Sequence, residues 1–340
     1  MEILLSLDYE MCNGINSGTV DNSIIIPTYK LHDVLKKYNG RAVFFVDVAF
    51  MLTLRKMKEK YSELEKDYDS IVSQIKFLSD YGHDIQLHIH PQWLHAKYED
   101  KKWASILDDY KLSDLTIDEV RYLFGEGITL LQNITNKPVT TFRAGAYCLQ
   151  TLKYYVSIFK EYGIVVDSSV LRNRFSKTDK WEWYDYRNPP VDIIYKFSDD
   201  VLMQDIDGDF IELSIPTHRI SILTLIINKI KIKKSKISNK VWADGTGSIG
   251  TLDKGLKKIN RKLRDYFKEH YVVSSIDGGN ASFLNKFYNL YKNQGAEFIQ
   301  IMGHPKGLTP YSLSMLESFI SQLGEDDKFI ITEDIIKRYR

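Results

Sequence analysis

Tyr81-Gly82-His83-Asp84-Ile85-Gln86-Leu87-His88-Ile89-His90 holds the pattern on which the fold reading turns. A long polar stretch with helical character, Leu54–Ser79, runs into it. Tyr81-Gly82 then turns the chain, Asp84–His88 reads as a strand, and two imidazoles stand where that strand ends. The same order recurs on both sides. Upstream, Ile3–Leu7 is a short apolar strand closing on Asp8 and Glu10, Thr28–Tyr38 has helical spacing with a stop at Asn39-Gly40, and Arg41–Val48 is β-branched and aromatic. Downstream, Thr116-Ile117-Asp118-Glu119 spells a capping box for a helix reaching about Asn133. Strand Pro138–Phe142, helix Leu149–Tyr162 and strand Ile164–Asp167 follow. Later come helices Phe283–Asn293 and Pro310–Leu323, with strands Phe298–Met302 and Phe329–Ile331. Parallel neighbours need crossover connections, so six or more such units predict an α/β chain whose parallel sheet closes, or nearly closes, into a βα barrel.

Composition narrows the function class. The chain has 340 residues, 46 Lys+Arg against 45 Asp+Glu, and a formal charge of +1. Hydrophobic residues at 44% and charged residues at 27% exclude wholesale disorder, and the balanced charge argues against a nucleic-acid-coating protein. Two cysteines, Cys12 and Cys148, do not make a disulfide framework, which points to a reducing compartment. The most apolar run, Ile220–Ile227, is too short to span a bilayer, and the first residues read as a strand rather than a leader. The expectation is a cytoplasmic protein that starts at Met1. It is also expected to be one catalytic unit over residues 1–340, with inserted segments around 49–79, 94–115 and 220–280. Lys229–Lys240 carries six lysines. It reads as a solvated helix or loop, or as a peripheral contact with anionic lipid or a phosphorylated, lipid-linked substrate.

Reactive side chains collect where barrels of this kind place function, at the C-terminal ends of strands. Asp8 and Glu10 share one face by their i, i+2 spacing, as do His88 and His90. Two imidazoles and a carboxylate suffice to hold a catalytic divalent ion with open positions. A second carboxylate can then act as base on an ion-bound water, and a separate His, here His304 in Gly303-His304-Pro305, can protonate a leaving group. Arg143 and Gly145 follow the strand ending at Phe142, and Asp167-Ser168-Ser169 ends the next. These parts together describe metal-assisted hydrolysis of an amide or ester.

On these residues the sequence resembles the polysaccharide deacetylases, the NodB-homology or carbohydrate esterase family 4 group. Five motifs carry the resemblance: Ser6-Leu7-Asp8-Tyr9-Glu10, Gly82 to His90, Phe142-Arg143-Ala144-Gly145, Gly163 to Val170, and Gly303-His304-Pro305. Ala42-Val43-Phe44-Phe45-Val46 is similar to the family's second strand. The resemblance implies a distorted (β/α)-barrel of about seven parallel strands with insertions. It implies Asp8 as base, Arg143 as its partner, Asp167 as the residue orienting His304, and His304 as general acid. It also implies Glu10, His88 and His90 as ligands of a divalent metal, Zn²⁺ first, with Co²⁺, Ni²⁺ or Fe²⁺ as alternatives. A backbone N–H near Ala144–Ala146 would help hold the oxyanion. The family's second histidine stands four residues after the first, whereas here position 92 is Gln, so Gln92 or water is the fallback for His90. The implied partner is an acetylated sugar or glycan precursor, free or lipid- or nucleotide-linked. Trp93, Gly145, Trp183 and His218 are candidate substrate contacts; Trp181, Tyr184, Tyr186 and Asp244 are weaker ones.

Three other readings compete. Gly245-Thr246-Gly247-Ser248-Ile249-Gly250 fits the spelling of a dinucleotide loop but lacks the strand–turn–helix setting, so it reads as a plain loop. An amidohydrolase or phosphoesterase barrel also uses H-x-H, though on its first strand. A carbohydrate-binding pseudoenzyme would keep the fold without the chemistry.

Overall fold

A computed structural model describes residues 1–14, 16–106, 108–177, 182–246 and 270–339. Trp181, residues 247–250 of the glycine-rich loop and part of the 220–280 segment lie outside the described residues. Nine strands form the main sheet. In chain order they are β1 (Glu2–Tyr9), β2 (Val43–Asp47), β3 (Asp84–Ile89), β4 (Thr141–Ala144), β5 (Val166–Asp167), β6 (Ile194–Phe197), β7 (Phe210–Leu213), β8 (Phe298–Gly303) and β9 (Lys328–Ile330). Their spatial order is β6-β7-β5-β4-β3-β2-β1-β8, with β9 also on β1. All these pairings are parallel except β6 with β7. The fold is therefore α/β with a curled, mostly parallel sheet. It has more strands than the expected seven, and one runs antiparallel.

β1 is the spine. It pairs with β8 over Glu2–Leu7, with β9 over Glu2–Leu4 and with β2 over Ser6–Tyr9, so both of its edges are occupied. Every residue of β1 is buried, as a central strand with covered faces requires. Ile3, Leu5 and Leu7 join the larger apolar cluster with helix residues Leu31, Leu35 and Ile75. Leu4, on the opposite face, packs with Val43, Phe45, Ile211 and Leu213 inside the curl. Period-two alternation carries Asp8 onto that inner face, at the C-terminal end of the strand.

The gap between the outer strands is bridged at the C-terminal end. Ser274 N–H donates to Pro216 O at 3.1 Å, Met302 N–H to Ser274 O at 2.9 Å and Ile276 N–H to Met302 O at 2.9 Å. Residues 274–276 thus link the chain after β7 to β8. They continue from His270–Val273, which pairs antiparallel with Thr217–Ile220.

The single helix expected over Leu54–Ser79 is two, Val48–Met57 and Leu64–Tyr81. The polar run after Met57 breaks it. Together the two helices make the β2-to-β3 crossover. Gly82, at φ +100°, ends the second helix in the left-handed cap that glycine adopts without strain. The capping box forms as spelled: Thr116 N–H donates to Glu119 Oε2 at 2.8 Å and Glu119 N–H to Thr116 Oγ1 at 3.3 Å. Helix Leu149–Tyr162 shrinks to a turn at Leu152–Tyr154 and a short helix, Val156–Glu161. Of the apolar run, Ile222–Ile227 shares helix Ile222–Lys234 with the first lysines of the 229–240 run, while Ile220 ends the preceding strand; the helix buries no side chain fully. Among the described residues no helix is long and apolar enough to cross a membrane.

His83, in the turn before β3, is fully buried. Its Nδ1 accepts from Ala42 N–H at 3.1 Å and its Nε2 lies 3.2 Å from His32 Nδ1. Burial, then the neighbouring His32, Arg41 and Lys137, drives its pKa down to about 3. Between pH 6.5 and about 3 the unfolded chain binds a proton there that the native chain refuses, so stability falls as pH falls. Denaturant titrations at pH 7 and 4.5 should show a His83→Asn variant losing roughly 2–3 kcal/mol less than the wild type over that step. Equal losses in both proteins would contradict the assignment.

Candidate active site

Five chain segments meet at the C-terminal end of the sheet. β1 delivers Asp8 and Glu10, β3 delivers His88 and His90, β4 delivers Arg143, and the turn after β8 delivers His304. Asp277 arrives on the bridging segment. The floor and walls form a cleft of about 550 Å³ lined among others by Asp8, Glu10, His90, His304 and Lys306.

Arg143 anchors the floor. Its side chain is fully buried, and its guanidinium stands 4.1 Å from the Phe45 ring centroid. Nη1 donates to Asp8 Oδ1 at 2.5 Å, Nη2 to Ser6 Oγ and Ser168 Oγ at 2.9 and 2.8 Å, and Nε to Ser168 O at 2.9 Å. Burial alone would raise the Asp8 carboxyl, but the Arg143 guanidinium, then His88 and His304, hold it below the usual range.

Glu10, His88 and His90 bring one donor atom each to within 4.8 Å of one another. His88 Nδ1 faces Arg143 O at 2.7 Å, which accepts an Nδ1–H, and its Nε2 is thereby turned inward, 3.3 Å from Glu10 Oε2. His90 Nε2 also pairs with Glu10 Oε2. Asp47 Oδ1 fixes the ligand backbone by accepting His90 N–H at 3.1 Å. Gln92, the fallback ligand, lies on the other side of the ring, with Nε2 3.0 Å from His90 Nδ1. Burial opposes ionisation of Glu10, yet His90, Lys306 and His88 bring it well below the ordinary value. Lys306 Nζ makes the closest cationic contact to Glu10 Oε1, at 2.7 Å. This His₂-carboxylate set fits a divalent ion with open positions.

His304 is held by Asp277, not by Asp167. Asp277 Oδ1 accepts the His304 backbone N–H at 2.8 Å and Oδ2 lies 2.7 Å from Nδ1. Nε2 is thereby turned inward, 3.5 Å from Asp8 Oδ2 and 3.7 Å from Glu10 Oε1. Burial works against the imidazolium, but Asp277, with Asp8 and Glu10, outweighs it and lifts the pKa to about 9. Asp167 is spent elsewhere: Oδ2 accepts Ser169 N–H at 3.0 Å and Oδ1 accepts Ser169 Oγ–H at 2.7 Å. Burial raises both Asp167 and its neighbour Glu212, so Asp167 braces a turn rather than a catalytic imidazole. Ser169 Oγ in turn accepts Ala144 N–H at 2.9 Å, which removes that amide from the expected oxyanion donors.

Of the candidate substrate contacts, only Trp183 lines the cleft, stacked on Tyr110 with centroids 4.7 Å apart. Trp93 is buried in the apolar core against Phe50 and Trp103. His218 stacks on Phe287 at 3.9 Å outside the cleft, and burial pushes its pKa down to about 4. Gly145 serves the site from behind: a Cβ there would fall 2.5 Å from Ile89 O and 2.8 Å from His90 Nδ1. Tyr184 and Tyr186 stack on each other and are buried. Asp244 ties down the 19–22 loop through Thr19 and Asn22. Reading the sequence missed Asp277, Lys306, Asn13 and Tyr110. Asp277-Gly278-Gly279 does follow an apolar run, as the other site acids do, but that run is a bridge outside the strand–helix alternation.

No protein-family model matches the sequence, and none of the curated proteins does. Among solved structures, the PuuE allantoinase aligns at 12% identity with a TM-score of 0.52, covering 99% of this chain and 89% of that one. A protein assigned as a polysaccharide deacetylase from Mycobacterium smegmatis aligns at 14% identity and TM-score 0.49, covering 100% and 90%. Another so assigned, from Pseudomonas aeruginosa PAO1, aligns at 12% and 0.49, covering 99% and 90%. What the likeness shows is the fold, an α/β chain with a curled, mostly parallel sheet.

The Arg143 guanidinium, with four of its five N–H donors placed, has a stability consequence. Arg143→Ala strands Asp8 without its cation and leaves two buried serines short of a donor, so the cost should be about 3–5 kcal/mol by chemical denaturation. Asp8→Asn, which removes the charge but keeps an acceptor, should cost less. An Arg143→Ala protein as stable as the wild type would refute the anchoring role.

Proposed function

We propose that residues 1–340 act as one metal-dependent hydrolase that removes the acetyl group from an N- or O-acetylated sugar or glycan precursor. The observation that carries this is the opposition of Asp8 and His304. A carboxylate held ionised and an imidazole held protonated face each other 3.5 Å apart, beside the Glu10, His88 and His90 donors. A divalent ion on those donors supplies a polarised acyl carbonyl and a water of lowered pKa. Zn²⁺ suits the set best, and Co²⁺, Ni²⁺ and Fe²⁺ are compatible. Arg143 occupies Oδ1 of Asp8, so Oδ2 takes the proton of the attacking water. His304 gives its Nε2 proton to the departing amine or alcohol while its Nδ1–H stays donated to Asp277 Oδ2. Lys306 offsets the charge of Glu10. The Tyr110–Trp183 wall offers a flat face to a sugar ring.

Lys229, Lys231, Lys233 and Lys234 stand on the helix Ile222–Lys234 beside exposed Ile226, Ile227 and Ile230. They favour a nucleotide- or lipid-linked anionic form of that substrate over the free sugar. Similarity to an allantoinase favours a second reading, in which the same residues hydrolyse a different C–N bond.

The test is acetate release from free, nucleotide-linked and lipid-linked acetyl sugars, with ammonia or urea release from ureido compounds as the second arm. Acetate should appear with the ion-loaded protein and fall at least about 10³-fold in Asp8→Asn and His304→Ala. Asp277→Asn should lower kcat about 10²-fold. It should also move the alkaline limb of kcat/KM downward, because the carboxylate that raises His304 is gone. Release only from ureido compounds would select the second reading, and wild-type rates in Asp8→Asn would sink both.

A further inference from the structure

Two buried carboxamides flank His90, one at each ring nitrogen. Asn13 Nδ2 lies 3.2 Å from His90 Nε2 and 3.2 Å from Glu10 Oε2. Gln92 Nε2 lies 3.0 Å from His90 Nδ1. Both amides turn nitrogen toward the ring, and both oxygens, Asn13 Oδ1 and Gln92 Oε1, are buried with no hydrogen-bond partner among the described residues. Orphaned buried acceptors each cost about 1–3 kcal/mol, and two around one imidazole ask for a common explanation. A carboxamide is nearly isosteric end for end, so a half-turn exchanges its oxygen and nitrogen without needing space.

A cation at the His90 Nε2 position accounts for both. Coordination through Nε2 requires the proton on Nδ1, which then needs an acceptor, and a turned Gln92 presents Oε1 there. A turned Asn13 presents Oδ1 at the place Nδ2 now occupies, beside Nε2 and the Glu10 carboxylate. Donors on one ion with bonds of about 2.1 Å stand about 3.0–3.4 Å apart. The Asn13 amide is at that spacing from both His90 Nε2 and Glu10 Oε2, and His88 Nε2 is at that spacing from Glu10 Oε2. Amide oxygens are established ligands of divalent cations.

Resting on the metal reading above, we propose that Asn13 is a fourth protein ligand of the divalent ion through Oδ1, with Gln92 Oε1 accepting the Nδ1–H of His90. The ion is then bound by two imidazoles, a carboxylate and an amide oxygen, and fewer of its positions are left to water and substrate than a three-ligand set allows.

Calorimetric titration of chelator-stripped protein with Zn²⁺ tests this without recourse to turnover. Asn13→Ala should weaken Zn²⁺ binding at least about tenfold, with its melting temperature in chelator unchanged. Asn13→Asp, which offers an oxygen in either orientation and cannot donate, should bind within about threefold of wild type or more tightly. Gln92→Glu, an acceptor only, should likewise retain affinity, whereas Gln92→Leu should lose it. In Co²⁺-loaded protein the visible absorption should change in Asn13→Ala and not in Gln92→Glu. Equal Zn²⁺ affinity in wild type and Asn13→Ala overturns the proposal. So does a loss in Asn13→Asp as large as that in Asn13→Ala, which would mark the amide as a hydrogen-bond donor to Glu10. Should Asn13→Ala fail to fold, Asn13→Asp and the two Gln92 variants still decide. A wild type that binds no Zn²⁺ would overturn this assignment together with the metal reading, and that result is distinct from the others.

Discussion

The buried contact between Arg143 and Asp8 is the constraint around which the site is organised. A guanidinium removed from water is costly unless its donors are met, and here four of its five N–H groups go to β1, at Asp8 and Ser6, and to the Ser168 turn. That requirement locks the C-terminal ends of β1, β4 and β5 in one arrangement. It also fixes the charge of Asp8, because the same cation that holds the carboxylate in place keeps it ionised. The carbonyl of Arg143 sets His88 as well, by accepting its Nδ1–H. One residue therefore aligns the Asp8 carboxylate with its side chain and the His88 imidazole with its backbone.

Four buried acids around this centre show how partners rather than burial decide chemistry. Burial pushes Asp8, Glu10, Asp167 and Glu212 all toward the neutral form. Asp8 and Glu10 meet Arg143, Lys306 and the imidazoles, and end below the carboxylate range. Asp167 and Glu212 have mainly each other and a few hydroxyl and amide donors, and end above it. Identical residue types at neighbouring strand ends thus divide into acids held ionised and acids pushed toward the neutral form. Close backbone approach has a similar part, since Gly145 presses on His90 where no side chain would fit.

Legibility in the sequence tracked the range of the interaction. Strand alternation, helix stops and the capping box at Thr116 are local, and the chain shows them with boundaries off by a few residues. Asp8, Glu10, His88 and His90 were readable because period-two geometry and parallel-barrel logic put strand-end residues on one surface. The partner of His304 was not. Asp167 sits at a strand end as the motif requires, yet its oxygens turn to Ser169, and a residue on the bridging segment takes its place. Trp93 and His218 misled for the same reason: an aromatic after a strand has the same spelling whether it faces a cleft or a core.

By itself the sequence determined the α/β architecture, the strand ends where chemistry collects, and the donor types gathered there, because these follow from periodicity and residue chemistry. Only the tertiary structure decided which acid serves which histidine, that Lys306 and Asn13 stand on Glu10, and which tryptophan faces the cleft. The first of those choices depends on how residues 274–276 bridge Pro216 to Met302 and bring Asp277 to His304. A bridge between segments so distant along the chain leaves no periodic trace in either of them.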